Sequence, residues 1–310
     1  MTKVRHDIDV RGIITAHHAV YIETNVLHRD ISCSNILFYY DSTTRHGVKG
    51  VLCDWEHAQR SGQPGNEVIM RDLLLSRMSL QQLSRYGYED VGPLKAEPLS
   101  VSDHPSGVAV AVDKAIAGTA PFMALDLLLY NQPPTHLYRH DLESFYWVLV
   151  WFTAVFEPEK NKLGVLPEFQ ENDLRNVGYR KGQYLDDPFV RKLIRERGDV
   201  KKGLEVKSYR GLNVWVDRLH RDLMYPVYTK YKEFETTLCT KLVEAQAAEE
   251  QASVEETTSE AVDDGEPFAG LEDEEAPSVK DVIAEIRHLM EEREAIVTYE
   301  AFMACLKADP

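Results

Sequence analysis

Positions Val10, Ile13, Ile14, His17, Val20 or Tyr21, and Thr24 follow helical spacing, so residues 8–24 are expected to form a helix. Val26 to Tyr40, rich in Ile, Leu, Phe and Tyr, reads as extended chain, and the polar run Asp41 to Gly47 reads as a turn. Val48 to Cys53 reads as a short strand that leads into Asp54-Trp55-Glu56. Residues 60–66 form a loop, Val68 to Tyr86 a helix, and the Gly- and Pro-containing stretch 91–108 irregular chain. Leu125 to Tyr130 is a short apolar helix stopped by Asn131 to Pro134. Asp141 to Phe156 is apolar on nearly all faces, the pattern of a helix buried at the centre of a helical domain, and Pro158 ends it. Several amphipathic helices are expected over 165–245, with Trp215, Leu219 and Leu223 on one stripe and a break or kink at Pro226. The pattern predicts a mainly α fold with a few short β-strands.

The composition changes after about Glu244. Residues 246–277 are acidic and nearly devoid of large apolar side chains, which predicts a disordered linker. Such a tract is also a candidate surface for a protein partner. Ser278 and Asp281 resemble an N-terminal capping box. They open a final amphipathic helix over 278–308, with Val282, Ile283, Ile286, Leu289 and Met290 on its apolar face, expected to dock onto the main domain.

Bulk composition narrows the function classes. The chain has 310 residues, 44% of them hydrophobic, which is enough for a substantial core. A formal net charge of −16 argues against a nucleic-acid surface or an anionic-membrane surface. The four cysteines, Cys33, Cys53, Cys239 and Cys305, lack zinc or redox-motif spacing and read as reduced thiols. The N-terminus has no signal-peptide core, and the apolar run Phe145 to Phe156 is too short to cross a bilayer. An intracellular protein, cytoplasmic or nuclear, with no membrane association is expected.

The chemistry concentrates in Leu27-His-Arg-Asp-Ile-Ser-Cys-Ser-Asn-Ile-Leu-Phe38, which fits H-R-D-x-x-x-x-N. Three further features follow in order. Asp54 comes after the apolar Val51-Leu52-Cys53. Gly118-Thr-Ala-Pro-Phe-Met-Ala-Leu-Asp126 resembles the sequence that closes a kinase activation segment. Tyr138-Arg-His-Asp-Leu-Glu-Ser144 opens the buried helix in the manner of casein-kinase-like enzymes. Together with Asp-Trp-Glu in place of Asp-Phe-Gly, these runs resemble the fungal-type protein kinase family over roughly residues 5–245.

The resemblance implies a protein-kinase-like C-terminal lobe over 1–245, with catalytic loop 28–35, activation segment 54–126 and central helix 141–156. It implies ATP and Mg²⁺ as cofactors and protein hydroxyls as acceptors. Asp30 would orient the attacking hydroxyl, and Asn35 and Asp54 would hold the metal through hard oxygen ligands. Leu37 would lie under the adenine, Asp141 would anchor the loop, and Arg29 would answer a phosphate in the activation segment.

The sequence also departs from the kinase pattern. No G-x-G-x-x-G or V-A-I-K run occurs in the chain, and 27 residues precede His28. An N-terminal lobe is therefore expected to be absent, and little or no activity is expected of this chain alone. Ser32 stands where a lysine is usual in protein-serine/threonine kinases, although serine is usual in the fungal family. Trp55-Glu56 replaces Phe-Gly, which restricts any flip of Asp54. About 70 residues separate Asp54 from Asp126, long for an activation segment. Beside the truncated kinase stand a pseudokinase scaffold and a small-molecule phosphotransferase. The 118–124 and 139–144 runs speak against the latter.

Overall fold

The computed structural model describes residues 10–40, 48–61, 74, 78–87, 118–129, 135–157, 162–171, 173–200, 210–259 and 277–307. The chain divides into two compact units. One holds Met1–Gly65, Pro93–Tyr228 and Ile296–Pro310; the other holds Asn66–Gly92 and Thr229–Ala295. The fold is mainly helical with a few short strands, as the periodicity predicts.

The first unit is built around helix α4, Tyr138–Val155. Its apolar faces are covered on several sides, so Leu142, Phe145, Tyr146, Trp147, Leu149 and Val150 are all buried. Helix α1, Val10–Thr24, packs Ile13 and Ile14 into the same core. A capped helix α11, Tyr299–Leu306, adds Phe302 and Leu306. Strand β1, Val26–Leu27, pairs antiparallel with β4, Gln59–Arg60. Strand β2, Ile36–Tyr40, pairs antiparallel with β3, Val48–Leu52, in the register Ile36↔Leu52 to Tyr40↔Val48. This hairpin lies close on α1. A Cβ at Gly50 would come within 2.3 Å of Ile13 Cδ1, so only glycine lets the backbone approach so closely.

The second unit contains helix α2, Leu80–Arg85, and a helical hairpin. Ion pairs Lys230–Glu292 at 2.8 Å and Lys241–Glu285 at 2.6 Å join the first arm, helical from Thr229 through Ser259, to α10, Val279–Ile296. Glu249 accepts from the Val279 amide at 3.1 Å. Partner numbers rise on one arm as they fall on the other, so the arms are antiparallel. Phe234, Leu238 and Leu242 on one arm and Val282, Ile283, Ile286 and Met290 on the other are all buried.

Four expectations are corrected. The helix expected over Val68 to Tyr86 is interrupted, because Ser79 is extended and caps α2 with Gln82 in a capping box. Of the break or kink expected at Pro226, the break does not occur: a widened π-type turn, His220–Met224, ends two residues before it and the helix continues through it as Tyr225–Thr236. Residues 246–259, expected as the start of the disordered linker 246–277, continue helix α9, Leu242–Ser259; residues 260–276 lie outside the described residues. The single final helix over 278–308 is two helices, α10 and α11. Thr298 separates them, its hydroxyl accepting from the Ala301 amide at 3.2 Å. The capping role expected of Ser278 is present, with its hydroxyl accepting from the Asp281 amide at 3.2 Å. All four cysteines are unbridged. Among the described residues no helix is long and apolar enough to cross a membrane.

Candidate active site

The candidate site lies where the loop after β1 meets the open end of the β2–β3 hairpin. Asn35 immediately precedes β2, and Cys53-Asp54 immediately follows β3. The ladder extends one step further, the Cys53 amide donating to the Asn35 carbonyl at 2.8 Å. Hairpin register therefore brings Asn35 and Asp54 to the same end of the sheet. Asp54 is exposed and holds φ 62°, and Arg29 holds φ 68°. Such left-handed conformations in non-glycine residues persist only where surrounding contacts impose them.

Asp30 is held on both carboxylate oxygens. Its Oδ2 accepts from Asn35 Nδ2 at 3.0 Å, and the same nitrogen donates to the Asp30 carbonyl at 2.8 Å. Its Oδ1 accepts from both the amide and the hydroxyl of Thr119, each at 2.8 Å. Thr119 lies 89 residues away in sequence, and Gly118 makes the approach feasible. Gly118 has φ +128°, and a Cβ there would sit 2.9 Å from the Arg29 carbonyl oxygen.

Beneath the loop, Asp141 of α4 is fully buried and accepts from the His28 amide at 2.8 Å and the Arg29 amide at 3.1 Å. The anchoring role expected of it takes this form. Burial alone would push its carboxyl up. Hydrogen bonds from His136 and His17, and the fields of the same rings, outweigh burial and hold it well below the ordinary range. His28 is satisfied on both ring nitrogens. Nε2 donates to the Cys53 carbonyl at 2.9 Å, and Nδ1 accepts from the Asp30 amide at 3.3 Å. Burial lowers its pKa.

Further charges are buried behind the loop. Arg139 pairs with Asp126 at 2.5 Å, and His140 reaches the same carboxylate at 3.1 Å. Burial brings His140 down to about 4 despite that neighbour. Glu143 accepts from the Leu125 amide at 2.8 Å and from Trp147 Nε1 at 3.0 Å. Lys181 donates to the Met123 carbonyl and lies 4.5 Å from the centre of the Trp147 ring. This set fixes the segment 119–129 that carries Thr119.

Asp30, Asn35 and Asp54 are thus gathered at one place. Leu37 is more than half exposed on the hairpin face it shares with Val51. Arg29 donates to Gln59 at 2.6 Å. Ser32 is buried and its hydroxyl bonds Ser34 at 2.8 Å, so it does not replace a lysine at the open side. Trp55 Nε1 donates to the Leu52 carbonyl at 3.2 Å, and its ring centre lies 4.6 Å from that of His28. Sequence reasoning missed Thr119, His17 and His136 as partners of the site. Only Thr119 carried a signal, as the second residue of the 118–126 run. Much of the segment 54–126, including 62–73 and 88–117, lies outside the described residues.

Comparison with known proteins bears on the same residues. The pattern of one family, described as fungal protein kinase, matches residues 9–76 and 99–153. Over that stretch the chain is similar to the fungal protein kinase family. The match covers the loop 28–35, Asp54, the 118–126 run and most of α4. No curated protein and no solved structure matches the chain.

For the metal such a family implies, the donors present fit. The Asn35 nitrogen is committed to Asp30, so the atom it can offer a metal is its oxygen, which accepts a long bond from the Ser34 hydroxyl at 3.4 Å and keeps a second lone pair, and Asp54 offers an exposed carboxylate at the same hairpin end. Amide and carboxylate oxygens suit a hard cation such as Mg²⁺. For the nucleotide, the described residues offer Leu37 as an apolar surface. No Gly-rich loop or strand-lysine motif accompanies it in the sequence.

Proposed function

We propose that this chain provides the catalytic loop of a protein kinase that transfers phosphoryl groups from ATP to protein hydroxyls. The observation that carries the reading is the double constraint on Asp30. Asn35 and Thr119 fix its carboxylate beside the hairpin end that bears Asp54. Phosphoryl transfer needs positioning and charge neutralisation more than a strong base. Asp30 would hydrogen-bond the acceptor hydroxyl and take its proton as the bond to phosphorus forms. Asn35 and Asp54 would hold Mg²⁺, which neutralises charge on the phosphate oxygens when bound. Leu37 would support the adenine.

A second reading, a binding module without transfer, is favoured by Ser32, which is buried against the Ser34 hydroxyl where protein-serine/threonine kinases usually carry a lysine. The two separate in one assay: phosphate transfer from labelled ATP to a mixed protein substrate, with and without Mg²⁺. The kinase reading expects slow, Mg²⁺-dependent transfer that Asp30→Asn abolishes. Transfer that is absent, or that survives Asp30→Asn, overturns it.

A further inference from the structure

Asp141 has four acceptor directions, and all are occupied. Two bonds come from the loop amides of His28 and Arg29. The other two come from imidazoles outside the loop: His17 Nε2 to Oδ2 and His136 Nε2 to Oδ1, each at 2.9 Å. His17 stands on α1, and His136 lies two residues before α4 begins.

A carboxylate turns easily about its terminal torsion, which is broad and roughly two-fold. The two neighbouring amides, one on each oxygen, tie the carboxylate only to the loop itself, so loop and carboxylate can still shift together. An imidazole on each oxygen removes the freedom, because each ring is itself held. The His17 ring stacks 5.4 Å from Tyr138 with planes 9° apart and meets Phe145 edge-on at 5.6 Å. The His136 ring meets His140 edge-on at 5.2 Å.

His17 carries a second mark. It is buried, and its Nδ1 finds no hydrogen-bond partner among the described residues. An unsatisfied buried polar atom is costly, and an aliphatic side chain would avoid the cost. The opposite nitrogen, on Asp141, is the contact that offsets it.

We propose that His17 and His136 are positioning residues: they lock the plane of Asp141, and through it the backbone of His28 and Arg29 that presents Asp30. Neither touches the open side of the site; both act through Asp141. The functional meaning rests on reading loop 28–35 as a phosphotransfer loop, whereas the positioning itself is measurable without any activity.

Hydrogen exchange followed by mass spectrometry on the full chain tests it, comparing the peptide over 27–31 with one over 145–150. In His17→Phe and His136→Phe the loop amides should exchange about tenfold faster, the effect of losing one charge-assisted bond, while 145–150 stays protected. Gln places an amide nitrogen near the position of Nε2, so His17→Gln and His136→Gln should retain loop protection. Unchanged loop exchange in the Phe variants overturns the proposal, and so do Gln variants that exchange as fast as the Phe variants. If His17→Phe loses protection everywhere, the partly exposed His136 pair decides alone. The expected exchange pattern in a chain that transfers no phosphate supports the positioning and contradicts only the kinase reading.

Discussion

The carboxylates of this protein fall into two tiers. Asp141 and Asp126 are buried beneath the loop, each with several donors. Asp30 and Asp54 lie at the open side, Asp30 constrained and Asp54 exposed. The same side chain therefore does two jobs. In the lower tier desolvation makes each bond strong and each vacancy costly, so the carboxylate serves as a fixed anchor. In the upper tier solvent access keeps a carboxylate available to a cation or a hydroxyl.

The largest effect should follow loss of the lower anchor. Asp141→Ala strips an acceptor from two amides and two imidazoles and should cost about 3–5 kcal/mol, read by urea unfolding. Its carboxyl is held low, so its contribution is present above the ordinary aspartate pKa of about 3.9 and is lost as pH falls below it. A second effect comes from His140, brought down to about 4 by burial. As pH falls from about 6.5 to 4, the unfolded chain takes up a proton that the folded chain refuses. Stability should drop across that window by up to about 3 kcal/mol. His140→Gln should flatten the slope without abolishing it, because burial also lowers His28.

Gly118→Ala joins the tiers, since the new methyl meets the Arg29 carbonyl at 2.9 Å in a left-handed conformation. A cost of about 1–3 kcal/mol is expected, together with faster exchange at Thr119. The smallest stability effect should be at the top. Asp54→Asn should shift unfolding by less than about 0.5 kcal/mol. A large destabilisation there would erase the distinction between the tiers.

Local features of the site were legible in the sequence. The run Leu27 to Phe38, the strand before Asp54 and the apolar helix from Asp141 each depend on near neighbours. The contacts that define geometry were not legible, because Thr119 meets Asp30 across 89 positions and His17 meets Asp141 across 124. Nothing in the spacing of His17 distinguishes a ring bonded to a distant aspartate from a core histidine. The acidic composition of 246–259 was misleading for a related reason. A helix of alanine and glutamate needs little apolar surface when Glu249 reaches the Val279 amide and Tyr86 donates to Glu249 at 2.6 Å.

The central claim is that the upper tier divides its labour between metal and hydroxyl. Equilibrium binding of a fluorescent ATP analogue, with Mg²⁺ and with chelator, tests it most directly. Asp54→Asn should abolish the Mg²⁺-dependent part of binding, while Asp30→Asn should leave binding within about two-fold and remove transfer. Equal Mg²⁺-dependent binding by wild type and Asp54→Asn would contradict the account.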